Sequence, residues 1–318
     1  MRAVVVGGGS WGTAFSRLLA EHGHEVTLAC RDPEQAAAIR ETGRNPRYLP
    51  NVRLDGVDAV ALEGADLAGA EVIAMAVPSE AFASVAARLP VGPPVLSLTK
   101  GLDPTSGDRL STLLEDRRVA VLSGPNFAPE VAAGLPAAAV IASGDDVLAV
   151  RLQHEINSQI FRVYVNADLI GVELCAAAKN VIALAAGAVD GLRFGDNAKA
   201  ALITRGLAEM SRLAAACGAK PETFAGLAGM GDLIATCWSR LSRNRRAGEL
   251  IATGTAPDDA VAAIGQVVEG LTTAPVLLEL SRRVGIELPI TEGACEVLAG
   301  KDLAELVSQL MGRRPKEE

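Results

Sequence analysis

The sequence predicts an α/β protein whose N-terminal half holds a mostly parallel sheet and whose C-terminal half is entirely α-helical. In the first half, short β-branched runs alternate with helical stretches, and the runs EVIAMAV, PVLSLT, RVAVLSG and AAAVIAS are continuous or nearly so in apolar residues. Strands of this kind are covered on both faces, which is typical of a parallel sheet flanked by helices. From Ala167 onward the β pattern stops and long Ala- and Leu-rich stretches follow. We therefore predict two domains, residues 1–166 and residues 167–318.

Local patterns predict the individual elements. Strands are predicted, in chain order, for RAVVVGG, HEVTLAC, EVIAMAV, PVLSLT, RVAVLSG, AAAVIAS and FRVYVN, the last at residues 161–166. The stretch TAFSRLLAEHG predicts a helix that ends at Gly23, and TRGLAEMSRLAAACG predicts one that ends at Gly218. Glycine is common just after a helix, which supports both ends. The charged tail at residues 312–318 is expected to be frayed.

Length, charge and cysteine content narrow the classes of function. The 318 residues suffice for two domains of ordinary size. A net charge of −8 argues against nucleic acid as a partner, because phosphate backbones require basic surface. The five cysteines are odd in number and form no C-x-x-C pair, which favours a reducing, cytoplasmic location. The three histidines show no metal-ligand pattern, so we expect no metal site.

The most hydrophobic long segment, residues 168–189, is interrupted by Glu173, Lys179 and Asn180. A membrane span requires about 18 or more uninterrupted apolar residues. We therefore predict a buried helix here and no membrane span. We also expect no signal peptide, since apolar strand residues begin at Ala3.

The first strand leads into a glycine motif suited to a dinucleotide. Gly7-x-Gly9-x-x-Gly12 stands directly after a strand and directly before a helix. In that setting Gly7 forms the tight turn, Gly9 lets the backbone approach a pyrophosphate, and Gly12 lets the helix pack on the strand. Exposed N–H groups and the helix dipole then favour the phosphates. We predict a Rossmann-like dinucleotide-binding domain over residues 1–166.

The end of the second strand bears on the choice between NADH and NADPH. An NAD site usually places an acidic residue there to bind the ribose 2′-hydroxyl. Here HEVTLAC runs into Arg31, whose guanidinium suits the 2′-phosphate of NADPH. Asp32 follows directly and could still bind the ribose of NADH. Both cofactors stay open, with NADPH favoured.

Longer motifs together carry a resemblance to a known family. They are GGGSWGTA at 7–14, NPRYLP at 45–50, SLTKGL at 97–102, SGPNFAPEVAAGLP at 123–136, ELCAAAKNVIALAAG at 173–187, GDNAKAALITRGLAEM at 195–210, GMGDLIATCWSRLSRNRRAG at 229–248 and VVEG at 267–270. In this order and spacing the chain resembles the bacterial NAD(P)-dependent glycerol-3-phosphate dehydrogenase family. The resemblance implies reversible, NAD(P)H-dependent reduction of a phosphorylated triose, dihydroxyacetone phosphate, to sn-glycerol 3-phosphate for glycerophospholipid synthesis.

The resemblance, together with the glycine motif and Arg31, implies the residues of the site. The catalytic group is Lys179, Asn180, Asp232 and Thr236. Cofactor contacts are expected from Gly7, Gly9, Ser10, Trp11, Gly12, Arg31, Tyr48, Lys100, Ala128, Arg243, Val267 and Glu269. Substrate contacts are expected from Lys100, Gly124, Asn126, Lys179, Asp232, Ser242, Arg243 and Asn244. At Asn126 the family more often has Ser or Thr, all of which can hydrogen-bond a ligand oxygen. Lys199, Thr204 and Arg205 match the family motif without an evident role.

Ketone reduction gives physical roles to some of these residues. It requires an acid for the forming alkoxide and positive charge for the phosphate. Lys179 lies mid-helix among apolar residues, where desolvation lowers a lysine pKa and a carboxylate partner raises it. Asp232 begins a helix and shares a face with Thr236, and in the family's pattern this face points at the lysine. Arg243 can offer charge-assisted hydrogen bonds to phosphate, and Lys100 follows a strand at the ligand-binding edge of the sheet.

Two other functions fit parts of this pattern. One is a different hydroxyacid or sugar-acid dehydrogenase of the same two-domain type, for which the substrate needs no phosphate. The other is a nucleotide-sensing module that has kept the fold and lost the chemistry, although Lys179, Asp232 and Arg243 speak against it. The apolar second domain is compatible with a homodimer.

Overall fold

The computed structural model describes residues 1–114, 116–303, 305, 306 and 309. The charged tail at residues 312–318, which we expected to be frayed, lies outside the described residues. Within them, strands are confined to the first half of the chain and helices alone form the second half. The predicted fold class is therefore confirmed.

Eight strands form one sheet. They are β1 (Arg2–Val6), β2 (Glu25–Cys30), β3 (Val57–Ala61), β4 (Val72–Met75), β5 (Val95–Ser97), β6 (Val119–Ser123), β7 (Ala137–Ser143) and β8 (Phe161–Asn166). Their order is β3-β2-β1-β4-β5-β6-β7-β8, and all neighbours pair in parallel except β6 and β7. The strand order reverses between β1 and β4, which is the position where doubly wound sheets bind ligands.

Five helices of the first half cover this sheet. They are α1 (Ser10–Glu21), α2 (Pro33–Thr42), α3 (Ser79–Ala86), α4 (Ala128–Ala132) and α5 (Asp146–Ile156). One apolar core packs Phe15 and Leu152 against one face, and a second core packs Phe82 and Leu110 against the other. The central strands are thus buried on both faces, as their unbroken apolar runs predict, whereas β3 and β8 at the two edges are partly exposed.

Helices make up the second half of the chain as far as the structure describes it, and eight of them have defined bounds. They are α6 (Leu169–Gly191), α7 (Gly195–Ala216), α8 (Glu222–Ala225), α9 (Asp232–Trp238), α10 (Arg243–Ala252), α11 (Pro257–Ile264), α12 (Glu269–Val284) and α13 (Pro289–Leu298). A π-helical turn, Leu227–Gly231, leads directly into α9. Such turns occur frequently at functional sites.

Helix α6 is the centre of the helical half and packs against α7, α9, α10 and α12. It is the one described helix that is long and apolar enough to cross a membrane, yet 83% of its most apolar window is buried inside the protein. Neighbouring helices therefore cover its apolar surface. Glu173, Lys179 and Asn180 interrupt that surface and are themselves buried.

The element boundaries agree closely with the sequence patterns, with one strand missed. Helix α1 ends two residues before Gly23, and α7 ends two residues before Gly218; both glycines have positive φ. Strand β3, with the sequence VDAVA, was not predicted because only Ala59 in it is buried. It lies at the edge of the sheet. The sheet ends at β8 and α6 follows, but the division into domains at residue 166 stays a prediction.

Candidate active site

A buried ammonium–carboxylate pair lies where α6 and α9 pack together. Lys179 Nζ donates to Asp232 Oδ1 at 2.8 Å and to Thr236 Oγ1 at 2.9 Å. Asp232 is the first residue of α9 and Thr236 lies one turn later, so both face α6. All three side chains are buried. A buried charge is costly unless it is paired, and the carboxylate provides the partner here.

Lys100 brings a second ammonium group to the same carboxylate. It follows β5 at the carboxyl edge of the sheet, and its Nζ donates to Asp232 Oδ2 at 3.0 Å. The same nitrogen donates to Gly124 O at 3.0 Å and to Asn126 Oδ1 at 3.1 Å. Since one carboxylate lies between two ammonium groups, the cluster carries an excess positive charge. Asn126 Nδ2 is buried and has no hydrogen-bond partner among the described residues.

The shared carboxylate sets the protonation of this cluster. Burial has the largest influence on Lys179 and lowers the pKa of its ammonium to about 8, with Asp232 opposing the shift and Lys100 adding to it. Burial alone would raise the pKa of Asp232, but Lys100 and Lys179 outweigh it and hold that pKa below its usual value. Asp232 therefore stays ionised, while Lys179 can exchange a proton close to neutral pH.

A chain of amide hydrogen bonds fixes the elements around the cluster. Asn180 Nδ2 donates to Lys100 O at 3.3 Å, and Asn180 Oδ1 accepts from Asn244 Nδ2 at 2.9 Å. Asn244 Oδ1 in turn accepts from Gly270 N–H at 2.8 Å. Both asparagines are buried. The chain therefore ties α6, next to Lys179, to the first turns of α10 and α12.

The first turn of α10 offers hydrogen-bond donors to an anion. Ser242 caps the helix by accepting from Arg245 N–H at 3.2 Å, which leaves the hydroxyl proton available as a donor. The N–H groups of Arg243 and Asn244 lie in the first turn, where a helix supplies no internal acceptor. A helix N-terminus also favours negative charge. This turn is suited to a phosphate group.

The Arg243 side chain reaches from α10 toward the glycine loop. Its Nη1 lies 3.5 Å from Gln266 Oε1, which also accepts from Ser10 Oγ at 3.3 Å. Arg243 is exposed. Desolvation by the neighbouring protein nevertheless lowers the pKa of its guanidinium, while nearby Glu269 and Tyr48 oppose the shift.

The glycine loop between β1 and α1 has room for a pyrophosphate. Gly7 has a φ of +118°, and an added Cβ there would overlap Ala76 O. At Gly12 an added Cβ would overlap Gly7 O, so the helix and the loop are in backbone contact. At Gly9, by contrast, an added Cβ would meet no atom within 4 Å. This open space before α1 fits a dinucleotide phosphate.

Aromatic residues line the cofactor side of the loop. Trp11 packs against Phe15 and Phe161 at ring-centroid distances of 5.9 and 6.4 Å, and it contacts the apolar cluster that contains Ala128. Its buried Nε1 has no partner among the described residues. Tyr48 is half-buried. An indole N–H without a protein acceptor is available to a ligand.

Val267 and Glu269, the last two predicted cofactor contacts, lie at the start of α12. Val267 is exposed, whereas the Glu269 carboxylate accepts from Ser79 N–H at 3.2 Å and from Ser79 Oγ at 2.6 Å. Burial raises the pKa of Glu269, with the bonds from Ser79 opposing the shift. Glu269 thus joins α12 to α3.

The two candidate ribose contacts differ in how the fold uses them. Asp32 caps α2, and its carboxylate accepts from Glu34 N–H at 2.9 Å. Arg31 is exposed at the end of β2. The acidic side chain is therefore occupied by the helix, and the guanidinium is free of such a role.

The sequence analysis did not predict two polar residues that bind predicted site residues. Gln266 accepts from Ser10 and Arg243, and Ser79 donates to Glu269. Neither stands in a motif with a recognised chemistry, and their contacts lie far away in the chain, so the local sequence pattern gave no signal.

Of the motif residues without a role, Thr204 and Arg205 are exposed on α7. Lys199 is buried in a second charge cluster. No group of three or more His, Cys, Asp or Glu in the described part of the chain is arranged to hold a metal ion.

Comparisons with known proteins agree along the whole chain. Residues 2–149 match the family model for the NAD-dependent glycerol-3-phosphate dehydrogenase N-terminus, and residues 168–308 match that for its C-terminus. A glycerol-3-phosphate dehydrogenase (NAD(P)+) from Moorella thermoacetica is 48% identical, covering 97% of this chain and 95% of its own. One from Thermobifida fusca is 46% identical, covering 100% and 98%. The crystal structure of the Coxiella burnetii glycerol-3-phosphate dehydrogenase has a TM-score of 0.95 at 39% identity, covering 98% and 99%.

Proposed function

The chain belongs to the NAD-dependent glycerol-3-phosphate dehydrogenase family, and we propose that it reversibly reduces dihydroxyacetone phosphate to sn-glycerol 3-phosphate with NADPH or NADH. The product would supply glycerophospholipid synthesis. One observation carries the proposal: the buried Lys179–Asp232 pair, which also binds the partly buried Lys100, is joined through Asn180 and Asn244 to the α10 N-terminus. Family membership disfavours both the hydroxyacid dehydrogenase and the nucleotide-sensing module.

Lys179 is the proposed acid. Bound NAD(P)H supplies the hydride to the carbonyl carbon of the substrate. Lys179 Nζ donates a proton to the carbonyl oxygen as that oxygen becomes an alkoxide, and the side chain is left as a neutral amine. An ammonium group has three donors, and Asp232 and Thr236 accept two of them. The third is free to point at the substrate, and a pKa of about 8 suits proton transfer near neutral pH.

Lys100 contributes charge rather than a free donor. Its three protons are directed at Gly124 O, Asn126 Oδ1 and Asp232 Oδ2. Its positive charge would stabilise the forming alkoxide in a site of low exposure. Asn126 Nδ2, buried without a partner among the described residues, is the donor we assign to a substrate oxygen. Asn126 would thereby replace the Ser or Thr more usual in the family.

The first turn of α10 is the proposed phosphate site. Ser242 offers its hydroxyl proton, Arg243 and Asn244 offer backbone N–H groups, and the Arg243 guanidinium offers charge-assisted bonds. The amide chain through Asn180 would hold this turn at a fixed separation from Lys179. A phosphate fixed there would place the carbonyl of a three-carbon substrate against the acid.

NADPH is the proposed preference among the two cofactors. Arg31 at the end of β2 can pair with a 2′-phosphate, whereas Asp32 is engaged as the cap of α2. The cofactor is proposed to occupy the glycine loop of Gly7, Gly9 and Gly12. The further contacts proposed for it are Ser10, Trp11, Tyr48, Lys100, Ala128, Arg243, Val267 and Glu269.

Location and assembly are also proposals. The five cysteines are free thiols, which supports a reducing cytoplasm. Met230, Ile234, Trp238 and Leu241 are exposed on and around α9. Such a group of exposed apolar side chains supports a homodimer, and sedimentation equilibrium would measure it.

Initial-rate kinetics test the proposed function. We expect dihydroxyacetone phosphate to exceed dihydroxyacetone in kcat/KM by on the order of 100-fold or more, because several charged hydrogen bonds to phosphate are lost with the latter. Equal turnover of the two ketones would remove the assignment. Binding of NADPH without any ketone-dependent oxidation would favour the nucleotide-sensing module. The ratio of kcat/KM for NADPH and NADH measures the cofactor preference.

A further inference from the structure

A second buried charge cluster joins four helices of the second half. Asp190, near the end of α6, accepts from Lys199 Nζ at 2.8 and 3.0 Å and from Arg245 Nε at 2.5 Å. Lys199 comes from α7 and Arg245 from α10. Lys199 Nζ also lies 4.8 Å from the ring centroid of Trp238, the last residue of α9. Glu249 lies 3.6 Å from Arg245 but is 46% exposed.

In this cluster one partly buried carboxylate, that of Asp190, binds two buried cations. The side chains of Lys199, Asp190 and Arg245 are 5%, 21% and 10% exposed. If the carboxylate were removed, two poorly hydrated cations would face each other, with only the exposed Glu249 near Arg245. Breaking a buried pair in this way is strongly unfavourable. Asp190 therefore holds both cations in a single arrangement.

The helices that carry Asp190 and Arg245 are also in direct backbone contact. An added Cβ at Gly187 of α6 would overlap Arg245 O, and one at Gly248 of α10 would overlap Leu184 O. One at Gly191 would approach Glu249 O at 2.8 Å. The backbones of α6 and α10 are thus close enough that a small displacement of one helix moves the other.

Arg245 links this contact between α6 and α10 to the proposed phosphate site. Its side chain is bound to Asp190, and its backbone N–H is bound to the Ser242 hydroxyl in the same first turn of α10 that contains Arg243 and Asn244. Lys179 lies on α6, the helix that carries Asp190. The Asp190–Arg245 bond therefore joins the helix of the proposed acid to the turn that is proposed to bind phosphate.

We infer that Asp190, supported by Lys199, is a positioning residue for the phosphate group of the substrate. It touches neither substrate nor cofactor. It acts by holding Arg245, and through Arg245 the turn of Ser242, Arg243 and Asn244, at the correct separation from Lys179. This inference rests on the proposed function, and it also gives a role to Lys199, whose match to the family motif had no physical explanation.

Loss of the Asp190 anchor should affect the phosphorylated substrate much more than the unphosphorylated one. Loss of the anchor shifts the phosphate turn but leaves Lys179, Asp232 and Thr236 in contact. Turnover of phosphorylated substrate then falls, while the slow turnover of dihydroxyacetone, which cannot use the phosphate turn, changes little. A displacement near 1 Å can cost on the order of 100-fold in rate when it misplaces a bound group. We expect at least about a 10-fold fall in the phosphate preference.

The experiment measures the ratio of kcat/KM for dihydroxyacetone phosphate to that for dihydroxyacetone. It compares the wild type with Asp190→Asn, Arg245→Met, Lys199→Met and Lys199→Arg, each checked for folding by thermal melting. We expect the ratio to fall by about 10-fold or more in Asp190→Asn and Arg245→Met, because both remove the Asp190–Arg245 bond, and to fall less in Lys199→Met, which keeps that bond. In Lys199→Arg the retained cation should restore most of the ratio. If Asp190→Asn does not fold, Arg245→Met decides, because Asp190 then still pairs with Lys199.

Glu173→Gln provides a matched control. Glu173 is a buried carboxylate on α6 that binds Arg109 and Ser111, away from α10. It should lower stability without lowering the ratio. A folded Arg245→Met with the wild-type ratio would overturn the inference, as would an equal fall of the ratio in Glu173→Gln. A wild type that shows no phosphate preference would instead overturn the proposed function, so the two failures are distinguishable.

Discussion

Two lysines share the Asp232 carboxylate, and their hydrogen bonds distinguish them. Lys100 directs three donors at Gly124 O, Asn126 Oδ1 and Asp232, so none is free. Lys179 directs two, at Asp232 and Thr236, and keeps one. An ammonium group with a free donor and a lowered pKa is suited to give up a proton. The donor arrangement therefore favours Lys179, rather than Lys100, as the acid.

Replacement of Lys179 tests that role. Lys179→Ala should lower kcat on the order of 100- to 10,000-fold, because general acid catalysis is lost. NADPH binding, measured by fluorescence titration, should stay near the wild-type value, since the glycine loop is unchanged. Lys179→Arg is the matched control, because it keeps the charge but cannot release a proton at working pH. Near-normal turnover in either variant would refute the proton-donor role.

The pH dependence of the two reaction directions follows from the Lys179 pKa of about 8. Ketone reduction needs the ammonium form, so kcat/KM should fall as the pH rises through about 8. Alcohol oxidation needs the neutral amine and should rise over the same interval. Lys100→Met removes a cation that lowers the pKa of Lys179, so the midpoint should move to higher pH. A flat profile in both directions would exclude Lys179 as the titrating group.

Arg243 gives a prediction about substrate binding. Arg243→Ala should weaken binding of dihydroxyacetone phosphate by about 1.5–3 kcal/mol if it removes one charged hydrogen bond. Arg243→Lys should recover part of the loss, because it keeps the charge without the two-pronged geometry. The measurement is KM together with product inhibition by sn-glycerol 3-phosphate. An unchanged KM for the phosphorylated ketone in Arg243→Ala would contradict the assignment.

At the scale of elements, two glycines of the loop have different roles: Gly12 is needed for folding, and Gly9 leaves space for the cofactor. Gly12→Ala should lower the melting temperature, because its Cβ would overlap the Gly7 carbonyl oxygen. Gly9→Ala should fold with nearly wild-type stability, because its Cβ meets no atom within 4 Å and its φ of −75° suits alanine. That Cβ would fill space proposed for the pyrophosphate, so NADPH binding should weaken. Tight NADPH binding by Gly9→Ala would place the cofactor elsewhere.

Elements whose burial pattern is regular could be predicted from the sequence, and those whose position depends on distant partners could not. The apolar runs of β1, β4 and β6 predicted buried strands, and the turn glycines predicted the ends of α1 and α7. Strand β3 was missed because an edge strand with one buried residue has little pattern. The i, i+4 spacing placed Asp232 and Thr236 on one face of α9. Nothing local indicated that Asp190 binds Lys199 and Arg245, since that contact depends on how three helices pack.

At the scale of the whole molecule, three buried or partly buried carboxylates of the helical half bind residues of the sheet half. Asp232 binds Lys100, Glu269 binds Ser79, and Glu173 binds Ser111 and Arg109. Burial raises the pKa of Glu173 and of Glu269, with their partners opposing the shift. Glu173 and Glu269 therefore cost stability when ionised, whereas the two lysines around Asp232 favour its ionised form.

Within the helical half, the buried carboxylate of Glu209 also costs stability when it is ionised, and this predicts how the stability of the whole chain depends on pH. Glu209 on α7 is buried, and its carboxylate accepts from Ile290 N–H at 2.7 Å and Thr291 N–H at 3.4 Å at the start of α13. Burial raises its pKa to about 7, with these two hydrogen bonds opposing the shift. The folded state therefore binds a proton more tightly than the unfolded state. Stability from this group is present at low pH and is lost as the pH rises through about 7.

Glu209→Gln isolates this effect, because glutamine keeps an acceptor for α13 and does not titrate. The free energy of unfolding of the wild type, relative to the variant, should fall between pH 4.5 and pH 7 by up to on the order of 3 kcal/mol. Urea unfolding at roughly pH 5, 6, 7 and 8 measures the difference. The lowered pKa values of Asp145 and Asp55 affect both proteins equally and cancel. A difference that does not change with pH would show that Glu209 is ionised throughout and that its bonds to α13 outweigh its burial.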